Sequence, residues 1–153
     1  YDDSTNAYDG VYDLDPLNPA SQIVRTYTDD PLNPVVPYAI AVSPLDPNRI
    51  VAATGFQGVV GSDDGGRTWS FLNNDLDAVR MFTITLDPLN PDTIYATSDG
   101  DGVWVSDNAG ASWSPLNDGL FHRFVTAFTI DINDHNTLYA GTEGGGVFRM
   151  RRR

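Results

Sequence analysis

The 153-residue chain has no cysteine and no lysine, and it carries one glutamate and two histidines. Without cysteine there are no disulfides, no thiol nucleophile and no cysteine-borne metal site, though the compartment stays open. No apolar run approaches the ~18 to 20 residues of a membrane-spanning helix, so no transmembrane segment is expected. His122 and His135 stand alone, without the helix-borne spacing of a zinc enzyme, and each reads as a loop residue. No stretch sustains a helical period. Nothing resembles a phosphate loop, a dinucleotide fingerprint or a nucleophile elbow.

What the chain has in excess is aspartate. All of its 21 acidic residues but Glu143 are Asp, and the formal net charge is -12. Aspartate favours turns, because its short side chain accepts hydrogen bonds from nearby backbone amides. Much of the acidity is therefore turn chemistry. A pI near 4.1 excludes nucleic acid held through its phosphates, which needs a basic surface. The one basic cluster, Arg149 to Arg153, reads as a solvated tail. Because residue 1 is Tyr and not Met, the N-terminus is expected to be processed or truncated, and a removed signal peptide stays open.

An eight-residue string occurs twice, 44 residues apart: Ser62-Asp-Asp-Gly-Gly-Arg-Thr-Trp69 and Ser106-Asp-Asn-Ala-Gly-Ala-Ser-Trp113. Its neighbours keep the same step. Ile50, Ile94 and Leu138 lie in β-branched and aromatic runs, and Gly58, Gly102 and Gly146 each open a further run. Each unit reads as four short strands joined by Gly, Asp, Asn and Pro turns. The Asp-Pro-Leu-Asn-Pro strings at 15–19, 30–34 and 87–91 are turn formers of the same kind. Four antiparallel strands at a period in the 40s predict an all-β protein built of β-propeller blades.

The predicted organisation is a divergent partial blade or N-terminal arm at 1–37, blades at 38–80 and 81–124, three strands of a further blade at 125–150, and a basic tail at 151–153. Within the arm, Asp9 to Tyr12 reads as a third strand and Gln22 to Thr28 as a fourth. About three blades make an incomplete ring, since propellers typically have four to eight. The chain is then a fragment, one of several copies that complete a ring, or a short stack docked on a partner.

In physical terms the repeated string is a turn between the third and fourth strands. Asp64 and Asn108 accept amide hydrogens, and Gly66 and Gly110 take backbone angles barred to other residues. Ser62, Ser106, Thr68 and Ser112 supply hydroxyls that lock the hairpin. Trp69 and Trp113 then pack as apolar plates between blades. The string resembles the Asp-box, or BNR repeat, of sialidases, sortilin-type receptors and xyloglucanase-like hydrolases. The flanking Asp87 to Thr97 and Tyr139 to Phe148 resemble the sortilin and xyloglucanase-like branch most closely. The similarity covers about residues 38 to 150. It implies that the box is a structural device on the face opposite the ligand.

A sialidase would need an arginine cluster, a Tyr–Glu pair and a Phe-Arg-Ile-Pro motif; the nearest string here is Asn48-Arg-Ile-Val51. A glycosidase needs two carboxylates about 5 to 9.5 Å apart, which so many Asp could meet by chance. Xyloglucanase-like enzymes, however, have two complete propellers. The loops at 98–102 and 131–136 look like hard-cation loops without following the calcium-loop pattern, so calcium is a minor alternative and no cofactor is expected.

If a binding face exists, blade topology places it where the turns between second and third strands meet the links between blades. That face would carry Phe56, Gln57, Asp75, Asp77, Arg80, Asp99, Asp101, His122, Arg123 and Glu143. Its exposed aromatic and Arg side chains are the better candidates, since interfaces favour those types. The leading expectation is a non-catalytic, protein-binding or assembly module, extracellular, cell-surface or periplasmic, with a protein partner or self-association completing the propeller. The alternatives are a fragment of a glycoside hydrolase and a lectin-like ring of several chains that binds glycan.

Overall fold

The computed structural model describes residues 11–12, 23–24, 36–78 and 80–152. Among them every regular element is a strand, and the strands form antiparallel sheets in chain order. A two-stranded ribbon pairs β1 (Val11–Tyr12) with β2 (Ile23–Val24). Residues 1–10, 13–22 and 25–35 of the expected N-terminal arm, with most of its fourth strand, lie outside the described residues, while Pro37, the last residue assigned to the arm, opens the first strand of the next sheet.

Blade 1 follows as β3 (Pro37–Val42), β4 (Ile50–Thr54), β5 (Val59–Ser62) and β6 (Ser70–Phe71). Blade 2 repeats it as β7 (Met81–Leu86), β8 (Ile94–Ser98), β9 (Gly102–Ser106) and β10 (Ser114–Pro115). Blade 3 has three strands: β11 (Val125–Ile130), β12 (Thr137–Thr142) and β13 (Gly146–Arg151). The protein is an all-β propeller segment whose ring is not closed. The fourth strands, β6 and β10, have only two residues each, and each begins just after the tryptophan.

The strands form because β-branched and aromatic residues alternate between two buried faces. Register shows the sorting. In blade 2, Ile84, Ala96 and Trp104 lie opposite one another and face blade 1, while Thr85, Tyr95 and Val105 face blade 3. Two apolar layers result. Val51, Ala53 and Val59 of blade 1 pack with Met81, Ile84, Leu86 and Ile94 of blade 2. Tyr95, Val103 and Val105 of blade 2 pack with Val125, Leu138, Ala140 and Met150 of blade 3. Each fully buried Val, Leu, Ile or Met side chain contributes roughly 1.5 to 3 kcal/mol, so these layers hold the blades together.

The middle strands carry a small residue every 44 positions, Ala52, Ala96 and Ala140, each fully buried. Alanine lets the strands on either side fill the layer with larger groups. The first strands share another device. In β3, β7 and β11 the register slips by one residue, leaving Tyr38, Phe82 and Thr126 as the extra residues. Such bulges turn a side chain out of the pleat. Since β7 touches both β3 and β11, these turned-out residues come from neighbouring strands.

Candidate functional site

A meander places its connections alternately at two ends. The turns between third and fourth strands, where the repeated string lies, are at one end. The turns between second and third strands and the links between blades are at the other.

At the first end the string is a closed ring of hydrogen bonds. The Ser62 hydroxyl accepts from the Gly66 amide at 2.9 Å and donates to Asp64 Oδ1 at 2.8 Å. Asp64 Oδ1 also accepts from the Thr68 amide at 2.8 Å, and its Oδ2 accepts from the Thr68 hydroxyl at 2.6 Å. Those Thr68 bonds, the hydroxyl first, hold the Asp64 carboxyl well down, at a pKa of about 2. The second copy has the same ring with its last bond reversed. Asn108 Oδ1 accepts from the Ser112 amide at 2.9 Å, and Asn108 Nδ2 donates to the Ser112 hydroxyl at 2.8 Å.

The same end ties the blades together. Trp113 Nε1 donates to the Leu72 carbonyl of blade 1 at 2.6 Å, whereas Trp69 Nε1 donates to Gly66 of its own turn at 2.9 Å. Gly110, at φ +88°, lies so close to blade 1 that a Cβ there would come within 2.8 Å of Leu72. Arg49 pairs with Asp63 and donates to the Ala109 carbonyl of blade 2 at 2.6 Å. Arg152 of blade 3 pairs with Asp107 of blade 2 and donates to the Tyr95 hydroxyl at 3.0 Å. Burial raises the Tyr95 pKa, and Arg152 pulls it the other way.

The opposite end brings together some of the expected face. Arg80 pairs with Asp99 at 2.8 Å, and its guanidinium lies 5.9 Å from the Phe56 ring centre and 5.7 Å from that of Phe82. Tyr38 stacks parallel to Phe82 with ring centres 6.1 Å apart, and Phe124 lies tilted against Phe82 at 5.4 Å. A row of rings, Tyr38, Phe82 and Phe124, thus runs across the three blades beside an Arg–Asp pair. Phe56, Tyr38 and Arg80 are exposed.

The remaining candidates are more scattered. His122 packs on Phe148 of blade 3 at 6.3 Å and lies hard against Gly145. The Glu143 amide donates to the Phe124 carbonyl at 2.9 Å, and Asp99 bridges to Phe124. Gln57 and Asp101 are held through their backbones: Asn73 Nδ2 donates to the Gln57 carbonyl at 2.8 Å, and Asn117 Nδ2 to that of Asp101 at 2.9 Å. Asp75, Asp77 and Arg123 are exposed. Among the described residues no three His, Asp or Glu side chains group as a cation site. In the loop at 131–136, the Asp131 and Asp134 carboxylates instead accept nearby amides, Asn133 at 2.8 Å and Asn136 at 3.2 Å. Two hydrogen bonds, the Thr137 hydroxyl first and the Asn136 amide second, lower the Asp134 pKa.

Sequence reasoning missed Tyr38, Phe82 and Phe124, and also Asn73 and Asn117. Their signal was the blade period: Tyr38 and Phe82 stand 44 apart, as do the two asparagines. Each asparagine Oδ1 also accepts an amide of the third strand, from Val59 at 2.8 Å and from Val103 at 2.9 Å. The asparagines therefore pin the link between blades onto the neighbouring turn.

No protein-family model matches the chain, and no curated protein matches it. Solved structures do. The chain is similar to an ancestral GH74 enzyme, at 24% identity over 84% of this chain and 18% of that one, with a TM-score of 0.59. It is similar to the GH74 enzyme of Niastella koreensis at 16% identity, over 94% of this chain and 25% of that one, with a TM-score of 0.63. It is also similar to YCF48 bound to a D1 peptide, at 14% identity over 74% of this chain and 36% of that one, with a TM-score of 0.59. At these identities the likeness shows the β-propeller fold. The chain spans no more than about a third of each of these proteins.

Proposed function

We propose that this chain is a non-catalytic Asp-box propeller segment of the sortilin and xyloglucanase-like type. It works as a protein-binding or assembly module, extracellular, on a cell surface or in the periplasm. The observation that carries the reading is the row of Tyr38, Phe82 and Phe124 with Phe56, Arg80 and Asp99 beside it. Flat rings and a guanidinium are the groups that dominate protein contacts. The likeness to YCF48 bound to a peptide supports a peptide or protein partner.

The GH74 likeness supports a second reading, in which the chain is a piece of a carbohydrate-active enzyme or a lectin-like ring. Aromatic rings also suit the apolar face of a sugar. One experiment separates the readings: the chain is screened on a peptide array and a glycan array, and incubated with β-glucan and a sialoside. The expected result is peptide binding that Phe56→Ala and Arg80→Ala abolish, with no hydrolysis. Hydrolysis lost in Asp99→Asn would reverse the ranking, and glycan binding without turnover would favour the lectin.

A further inference from the structure

We infer that the end of the blades bearing Tyr38, Phe82 and Phe124 docks a basic, extended peptide segment of a partner protein. This rests on the protein-binding reading above and names the partner's chemistry. The end consists of turns between second and third strands and of links between blades, so whatever lies beside the flanks of the sheets leaves it open.

The rings set the form of the partner. Their centres step by 6.1 Å from Tyr38 to Phe82 and by 5.4 Å from Phe82 to Phe124. An extended chain repeats the side chains of one face about every 6.6 Å, so alternate residues of a strand-like segment fit along the row. Exposure favours the same use. Tyr38 is 45% exposed, Phe56 64% and Phe121, in the link before blade 3, 86%. Arg80 adds a guanidinium to the row. Asp99, at 2.8 Å, already matches its charge, so what it offers a peptide is N–H groups for main-chain carbonyls.

The charge around the rings sets the sign of the partner. At the opposite end the carboxylates serve their own turns. Asp46 accepts from the Asn48 amide at 2.9 Å, Asp64 from that of Thr68 at 2.8 Å, and Asp131 from that of Asn133 at 2.8 Å. At the aromatic end they do not. Asp77, Asp101, Asp118 and Glu143 are exposed, and their side chains make no hydrogen bond or ion pair among the described residues. Asp75, also exposed, has a positive φ of +60°, which an Asp in a turn accommodates. Arg123 is the only arginine there besides the paired Arg80. Turn chemistry thus accounts for the acids at one end and leaves those at the other without a structural task. Like charges gathered on one surface repel one another, and they steer a cationic partner toward the rings they surround.

Fluorescence anisotropy with two labelled synthetic dodecapeptides tests this. Both carry three alternating leucines, flanked by lysines and serines in one and by glutamates and serines in the other. The lysine peptide is expected to bind about tenfold tighter, with the gap closing as salt rises from about 25 to about 300 mM. Asp77→Asn combined with Asp101→Asn should narrow that preference by about threefold. The charge-matched pair Asp46→Asn with Asp92→Asn, at the opposite end, should leave it unchanged, which separates a local surface from the net charge of -12. Phe56→Ala should weaken the lysine peptide at either salt. A glutamate peptide that binds as tightly as the lysine one overturns the inference. So does a preference that falls equally in both paired variants, and so does a lack of binding by either peptide. Hits without basic residues on the peptide array would then leave the protein-binding reading standing, whereas an array with no hit would remove that reading too.

Discussion

The indole N–H of Trp113 donates to the main-chain carbonyl of Leu72, 2.6 Å away and one blade back. The matching Trp69 keeps its N–H within its own turn, on Gly66. The same residue type at the same place in the repeat therefore does two jobs. In blade 2 it clamps neighbouring blades, and in blade 1 it closes a hairpin.

Trp113→Phe should lower stability by more than Trp104→Phe, by about 1 kcal/mol, the usual net worth of a hydrogen bond. Both tryptophans are buried in the same layer between blades 1 and 2, but the Trp104 N–H has no protein acceptor. Urea unfolding of the two variants measures the difference. Equal losses would mean that the bond across the blades adds nothing beyond packing.

Asp64→Asn should alter the acid limb of the stability curve and little else. The folded pKa, about 2, lies below the ordinary 3.8, so the carboxylate's contribution is present above about pH 4. It is lost as pH falls toward 2. The variant should unfold with a shallower dependence between pH 4 and 2, because Asn108 closes the matching ring without a titrating group. Thermal melts at half-unit pH steps read this directly. An unchanged slope would remove Asp64 as its source.

Gly102→Ala should cost about 1 to 3 kcal/mol, and more than Gly100→Ala. Both glycines have positive φ, +87° and +94°. A Cβ at Gly102 would run into the Asn117 amide that pins the link between blades, whereas nothing lies near one at Gly100. Denaturant midpoints of the two variants settle the order.

Arg152→Ala should loosen blade 3 from blade 2 by roughly 1 kcal/mol or more, with part of the loss insensitive to salt. The pair with Asp107 is exposed and screened. The bond to the Tyr95 hydroxyl is not, because Tyr95 is fully buried and that oxygen loses its donor. Unfolding at low and high salt separates the two parts. A loss that disappears in high salt would leave only the ion pair.

The strands were legible because their signals are local: β-branched alternation, glycine turns and a repeat that can be laid against itself. The bond pattern at the string was legible for the same reason, since Ser62, Asp64, Gly66 and Thr68 act within one turn. The opposite face was only half legible. Arg80, Phe56 and Asp99 follow from blade topology, but Tyr38 and Phe82 read as ordinary strand residues. Their rings meet only because the register slips in β3 and β7, and no single residue announces that slip.

By itself the sequence determined the all-β class, the blade period and the chemistry of each turn, since hydrogen bonds within a few residues of chain need no distant partner. Only the tertiary structure decided which faces are covered and which side chains cross between blades. Trp113 reaches Leu72, and Arg152 reaches Tyr95, over gaps of 41 and 57 residues. Such contacts depend on how twisted sheets stack, and the stacking is set by all the packed side chains of a layer together.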